Sequence, residues 1–224
     1  MDDRPVWLPL ESNPTVMTNF LVDIGMSAEW SVVDLIGIDE DVLGFVPQPV
    51  AAIIFLYPPT VHDSDESGDD ALNDSVFFMK QMVRNACGTV ALIHGVGNNL
   101  DKIQLVDDSP LKKYFESVQS LNKIEKGLEM SRNADIRKSH ELHAQQGQTS
   151  TPNLNENVEN HFVALIERNG RIYQLNGGKD GPVDHGPSSQ ETFLYDAAAV
   201  CRQFIAKHPD CNSYSVLAIS KAFD

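Results

Sequence analysis

A thiol, an imidazole and an amide stand in this chain at spacings that could make a nucleophile. Cys87 closes the run Gln81-Met-Val-Arg-Asn-Ala-Cys87 and is followed by Gly88, Thr89 and the almost wholly apolar Val90 to Val96. That pattern predicts a lone thiol at the start of a buried helix. Unpaired N–H groups and the positive end of the helix dipole favour the thiolate there, and the thiolate is the nucleophile. Gly88 removes a side chain beside the sulfur, which would let a substrate backbone approach. The plain alternative is a core cysteine, since free cysteine is among the most buried residue types. A nucleophile also needs a proton acceptor, and the acceptor needs an orienting partner. Two β-rich runs, from His161 and from Arg171, flank Asn169-Gly170, the signature of a type I′ hairpin. If Arg168 pairs with Arg171, then Ile166 pairs with Tyr173, Ala164 with Leu175 and Val163 with Asn176. His161 then shares a face with Asn176 as its diagonal neighbour, at a Cβ separation of roughly 7–8 Å or somewhat less. The alternative is a histidine at the wet end of a strand and an asparagine in a turn.

The elements that must carry these residues are legible in outline. Asn13-Pro14 opens a helix with Val16, Phe20, Leu21 and Ile24 on one stripe, stopped by Gly25. Val50 to Leu56 is an unbroken apolar run of strand length between prolines, a buried strand. Asp74 or Ser75 is placed to cap a helix through Phe77, Phe78 and Met82, carrying Gln81 towards Cys87. Ser109-Pro110 starts a helix with Leu111, Phe115 and Val118 inward. Thr192 to Lys207 is helical, with Leu194, Ala197, Cys201 and Phe204 on one face, and Tyr214 to Ile219 is a last strand. Separated helices with a late hairpin predict an α+β fold, a mainly antiparallel sheet covered by helices, in one domain spanning 1–224.

Composition narrows the partners. A formal charge of −15 argues against nucleic acid and anionic membranes and favours a basic ligand, although an acidic surface also serves solubility. Three cysteines make no disulfide framework and point to a reducing compartment. The start lacks a signal-peptide pattern, and no apolar run reaches the ~18 residues of a membrane span, so a cytoplasmic monomer is expected. Asp63, Asp65, Ser67, Gly68 and Asp69 match half of a calcium loop, but Pro58-Pro59 forbids the incoming helix and Asp74 stands where a bidentate glutamate belongs. The stretch from His62 to Asp74 is therefore read as a solvated loop, with no metal and no cofactor. Gln145 to Glu159 is a polar run leading directly into His161 and is read as a lid, the alternative being a plain connector.

Several of these runs together carry a resemblance. Trp7-Leu-Pro-Leu-Glu11-Ser-Asn-Pro14, Val46-Pro-Gln-Pro49, Phe78-Met-Lys-Gln81 through Cys87-Gly-Thr89, Gly147-Gln-Thr149, His161-Phe162 and Pro182-Val-Asp-His-Gly186 resemble, in order, the ubiquitin C-terminal hydrolase family. This is a papain-like group of cysteine peptidases, and the chain looks most similar to its isozyme-3-like animal members. The resemblance implies a papain-like fold and hydrolysis of small adducts (amide, ester or thioester) from the C-terminal glycine of ubiquitin. It implies Cys87 as nucleophile, His161 as base and then acid, and Asn176 as its orienting partner. Gln81 and the Cys87 backbone N–H would form the oxyanion hole. Taken alone, Gln81 could equally be a solvated helix residue. Glu11 and Asp34 match acidic positions that meet the arginine-rich ubiquitin tail, or are surface carboxylates. The stretch from Gln145 to Glu159 would be the crossover loop over the cleft. In one place the chain departs from the family, which carries an aspartate in a Leu-Asp-Gly context where this chain reads Leu175-Asn176-Gly177. An amide carbonyl can still accept the His161 Nδ1–H, but it cannot offer a full charge to imidazolium. The alternative is therefore a weakly active or binding-only member that holds ubiquitin.

Overall fold

The computed structural model describes residues 4–58, 68–69, 76–147, 160–207, 209 and 213–222. Along the chain lie α1 (Pro14–Asp23), β1 (Trp30–Asp34), α2 (Glu40–Leu43), β2 (Val50–Tyr57), α3 (Cys87–Gly97), α4 (Pro110–Ser117), α5 (Lys123–Arg132), α6 (Ala134–Ala144), β3 (His161–Arg168), β4 (Arg171–Leu175), β5 (Val183–Pro187), α7 (Phe193–Lys207) and β6 (Ser215–Lys221). The six strands form one sheet in the order β1-β6-β2-β3-β4-β5, with every neighbouring pair antiparallel.

The unbroken apolar run of β2 follows from burial on both faces. Ala52 and Ile54 point into a core shared with Val90, Ala91 and Ile93 of α3. Ile53, Phe55 and Tyr57 point the other way, against Phe193, Ala197, Cys201 and Phe204 of α7. Helix α3 is buried from Cys87 through Val96, so it is apolar all round rather than amphipathic. Helices α1, α4 and α7 bury the stripes their spacing predicts, and Gly25 takes a left-handed φ of 117° just after α1. Helices α2, α5 and α6 and strands β1 and β5 lie outside the elements read from sequence. The start of α5 is nonetheless marked, since Asn122 and Glu125 form a reciprocal capping box.

One expected element is absent. Residues 76–82 form no helix. They cross α3 as an irregular strap, because α3 and its neighbours satisfy their backbone from outside. Asn98 accepts the Phe77 N–H at 2.8 Å, and the His94 Nε2 atom accepts the Met79 N–H at 3.0 Å. The carbonyls of Lys123 and Gly177 accept the N–H groups of Lys80 and Gln81, each at 2.9 Å. Phe78 and Met79 bury completely in this conformation. The expected solvated loop lies outside the described residues except for 68–69, where the Asp69 N–H donates to the Pro182 carbonyl. The expected lid is likewise described only over 145–147.

The contact of α3 with the sheet is close enough to require a glycine. A Cβ on Gly95 would stand 2.9 Å from Ile219 Cδ1 and 3.0 Å from Ala52 Cβ. Gly95→Val should therefore destabilise the fold by about 1–3 kcal/mol through overpacking. Urea unfolding of both proteins measures this, as a lower midpoint at unchanged slope.

Candidate active site

Cys87 is the first residue of α3, and its N–H has no acceptor within the helix. The chain turns sharply into that helix. Asn85 adopts a left-handed φ of 63°, which asparagine tolerates better than most residues. The sulfur is buried, with the residue only 7% exposed. Burial is the largest single influence and pushes the thiol up. A hydrogen bond from His161, the charge of that imidazole, and the backbone N–H groups of Phe162 and Gly88 pull it down, and the net result lies below an ordinary thiol. The environment thus favours thiolate by pairing it with imidazolium.

His161 opens β3 at the end of the sheet. The hairpin register is the one expected, with Ala164 opposite Leu175, Ile166 opposite Tyr173 and Arg168 opposite Arg171. Asn169 and Gly170 take φ values of 54° and 77°, as the type I′ turn requires. His161 and Asn176 meet at 2.8 Å, with Asn176 Oδ1 accepting. The ring nitrogen in this bond is Nε2, not the Nδ1 expected from sequence. Oδ1 is held at its own turn by the Gly178 N–H at 2.9 Å. Across a diagonal pair the imidazole must therefore reach with its farther nitrogen. Nε2 carries the proton, and Nδ1 is left for the thiol.

Gln81 sits on the strap, partly buried. Its Nε2 donates one hydrogen to the Val83 carbonyl at 2.9 Å, and its Oε1 is buried with no partner. The amide has a second N–H hydrogen, which makes it a donor of the kind an oxyanion needs. Gly177 fixes its position. A Cβ there would meet Val90 Cγ1 at 2.9 Å, Gln81 Cβ at 3.0 Å and the Gln81 N at 3.1 Å. The turn that carries Asn176 thus rests directly on Gln81, a role for Gly177 that its sequence context did not disclose. The role expected for Gly88 is different in the structure. The space beside it is filled by this chain itself, with Leu10 Cβ at 3.3 Å and the Phe162 ring at 3.4 Å from a would-be Cβ, so Gly88 serves packing rather than substrate approach.

The two carboxylates lie at the same end of the sheet. Tyr57 pairs with His161, Leu56 with Ser215, and Asp34 with Leu217, so β1 ends beside the start of β3 with two strands between. Asp34 is level with Ala164 through Leu217 and Ile54, so three inter-strand steps and three residues along the strand make that roughly 17 Å. Asp34 is exposed and Glu11 half-buried. Glu11 follows Leu10, which packs on Gly88, and precedes Ser12, whose hydroxyl bonds that of Ser215 at 2.6 Å. A Cβ on Gly147, the last described residue of the expected lid, would run into Glu11 Oε2. Cys201 is buried in α7, where desolvation pushes its thiol up to about 12. Cys211 lies outside the described residues. Among the described residues no group of three His, Cys, Asp or Glu side chains is placed to hold a metal ion.

Comparison with known proteins accords with this arrangement. Residues 7–206 match the family described as ubiquitin carboxyl-terminal hydrolase, family 1. A ubiquitin carboxyl-terminal hydrolase of Drosophila melanogaster is 41% identical, covering 96% of this chain and 98% of its own length. The isozyme L1 of Equus caballus is 34% identical, covering 96% and 98%. Among solved structures, the UCH37 catalytic domain of Trichinella spiralis bound to ubiquitin vinyl methyl ester superposes with a TM-score of 0.82 at 22% identity, over 97% of this chain and 96% of that one. That likeness bears on the fold, and the sequence matches bear on descent. With a buried thiol, an imidazole and an amide acceptor assembled at the end of an antiparallel sheet, the chain belongs to the cysteine-type ubiquitin carboxyl-terminal hydrolases of family 1.

Proposed function

We propose that this protein is a deubiquitinating cysteine hydrolase that removes small adducts from the C-terminal glycine of ubiquitin. The observation that carries the reading is the thiol–imidazole–amide relay, with a lowered Cys87 and a 2.8 Å bond from His161 to Asn176. Cys87 attacks the carbonyl carbon and His161 protonates the leaving group. Water then attacks the acyl-enzyme, His161 takes its proton, and the thiol is regenerated. The spare N–H of Gln81 and the Cys87 N–H stabilise the oxyanion, a donor pair in which each member is worth about 10²–10³ in rate. Glu11 and Asp34 lie along the same end of the sheet, so a basic, extended tail leading to Cys87 would pass between carboxylates. Ile36 and Phe45 are 95% and 82% exposed beside Asp34, apolar surface suited to a folded body attached to that tail. Both cores share one sheet, which supports a single catalytic domain. No helix among the described residues is long and apolar enough to cross a membrane. A monomer acting in the cytoplasm within the ubiquitin conjugation pathway fits the reading.

Cys87→Ala should abolish turnover of a ubiquitin–fluorophore while leaving ubiquitin binding intact, because it removes the nucleophile and little surface. Turnover retained by that variant would overturn the assignment. Ubiquitin binding by the parent without covalent capture of a ubiquitin vinyl methyl ester probe would favour the binding-only alternative.

Asn176→Asp should raise kcat/KM about tenfold, since a charged acceptor adds about 1–1.5 kcal/mol over a neutral one when imidazolium forms. The Gly178 N–H that now bonds Oδ1 would serve the carboxylate equally. The ratio of kcat/KM between variant and parent, at matched thermal stability, measures the gain.

The segment Gln145 to Glu159 is proposed as the lid over this cleft, because its root at Gly147 lies against Glu11 and it leads into His161. Lengthening it should raise cleavage of ubiquitin–protein fusions relative to ubiquitin–fluorophore, with Cys87 labelling unchanged. A constant ratio across a loop-length series would make it a passive connector.

A further inference from the structure

Cys87 and His94 stand two turns apart on α3, and His94 is wholly buried. The relay does not use His94, although its surroundings reach two parts of the site. Its Nε2 accepts the Met79 N–H at 3.0 Å, two residues before Gln81. Its ring stacks on Phe78 at 5.2 Å between centroids and 12° between planes. Its Nδ1 is buried without a well-formed hydrogen bond, and the backbone of Leu175, the residue before Asn176, acts on the ring. Asn98, the C-cap of α3 one turn further on, grips the same strap through both backbone groups of Phe77. The strap has no helical or sheet hydrogen bonds of its own over 77–81. Its position is set by what α3 offers.

We propose that His94 is a positioning residue for the oxyanion site. As a neutral acceptor on the nucleophile's own helix, it fixes the strap at Met79 and thereby the distance from the Gln81 amide to the Cys87 sulfur. The chemistry requires an imidazole that stays neutral, because imidazolium has no lone pair for the Met79 N–H. Burial supplies this, holding the ring down at about 3. The strap and the nucleophile are then referenced to one rigid element. A shift of even 1 Å in such a donor is enough to cost catalysis without touching binding. This proposal rests on the oxyanion role given to Gln81 above.

The test is a double-mutant cycle on the full chain. His94→Phe keeps the ring stacking on Phe78 and removes the acceptor. His94→Gln places an amide oxygen where Nε2 sits. With Gln81 present, His94→Phe should lower kcat about ten- to hundredfold at unchanged KM, and His94→Gln should recover most of it. In a Gln81→Ala background the same His94→Phe change should cost less than threefold, because the group it positions is gone. The pH profile of Cys87 alkylation should be the same in parent and His94→Phe, since the thiol–imidazole pair is untouched. Equal losses with and without Gln81, an unaltered kcat in folded His94→Phe, or a displaced alkylation profile would each overturn the proposal. Gln81→Ala with full kcat would instead remove the oxyanion reading, and the role of His94 with it. If His94→Phe does not fold, the cycle is run with His94→Gln and His94→Asn. Asparagine reaches the Nδ1 position, so a kcat equal to that of the glutamine variant would likewise overturn the proposal.

Discussion

Water has to be kept from every side of α3, and the rest of the molecule is arranged around that requirement. A helix that is apolar all round must be covered by other chain segments, and those segments bring backbone groups that cannot be left unpaired. An orphaned buried N–H or C=O costs about 1–3 kcal/mol. Where the sheet does the covering, the ladders satisfy the backbone. Where the strap over 76–82 does it, His94 of α3 and the C-cap residue Asn98 answer with their polar side chains. Asn99 donates to the carbonyls of Ala51 and Gly95, each at 2.9 Å, so the same end of the helix is also tied to β2. On the opposite side Thr89 Oγ1 and His140 Nδ1 meet at 2.7 Å, and His140 Nε2 reaches the Leu8 carbonyl at 2.6 Å. The site therefore inherits its rigidity from hydrophobic burial. The polar ties decide which segment lies where.

The two described cysteines show what the surroundings add to burial. Cys201 is as deeply enclosed as a side chain can be, and desolvation carries its thiol up to about 12 against the weaker pull of Arg202 and its own backbone N–H. Cys87 feels the same penalty but also His161 and two backbone N–H groups, and the sign reverses. Coulombic and hydrogen-bond terms of this kind are larger in a poorly hydrated site than in water, so the imidazole gains influence from the burial that opposes it. Asn176 limits the effect. It orients the ring and fixes the proton on Nε2, but as an amide it leaves the thiolate itself as the principal counter-charge to imidazolium.

Much of this was legible in the sequence where a short-range rule governs. The Asn169-Gly170 turn set the hairpin register, and the register alone brought His161 to Asn176. The apolar spacing marked α1, α4 and α7 and the buried β2. Long-range geometry was not legible. Alternation assigns His161 to the series of Val163 and Leu165, which faces α7, whereas Cys87 belongs to the helix on the other face. The two meet because each is the terminal residue of its element, which no periodicity reveals. The strap was misread for a related reason. Phe77, Phe78 and Met82 have helical spacing, but the acceptors that win their backbone donors lie more than ten residues away, on His94, Asn98, Lys123 and Gly177. The choice of Nε2 over Nδ1 likewise depended on how Gly178 holds the amide.

The outermost strand at the hairpin side, β5, is a short and awkward one. Its register with β4 slips between Ile172 and Tyr173, Gly186 takes a φ of 107°, and Pro187 has no N–H to offer. Asp184, within the same strand, pairs with Arg171 at 2.5 Å. Each feature spoils the row of evenly spaced, uncharged backbone groups that a strand from another molecule would need. A chain emerging from the ribosome, or one partly unfolded, would find no flat template here on which to add itself. At this edge the sheet is open in topology yet closed to growth, which guards that side of the fold against the first step of cross-β assembly.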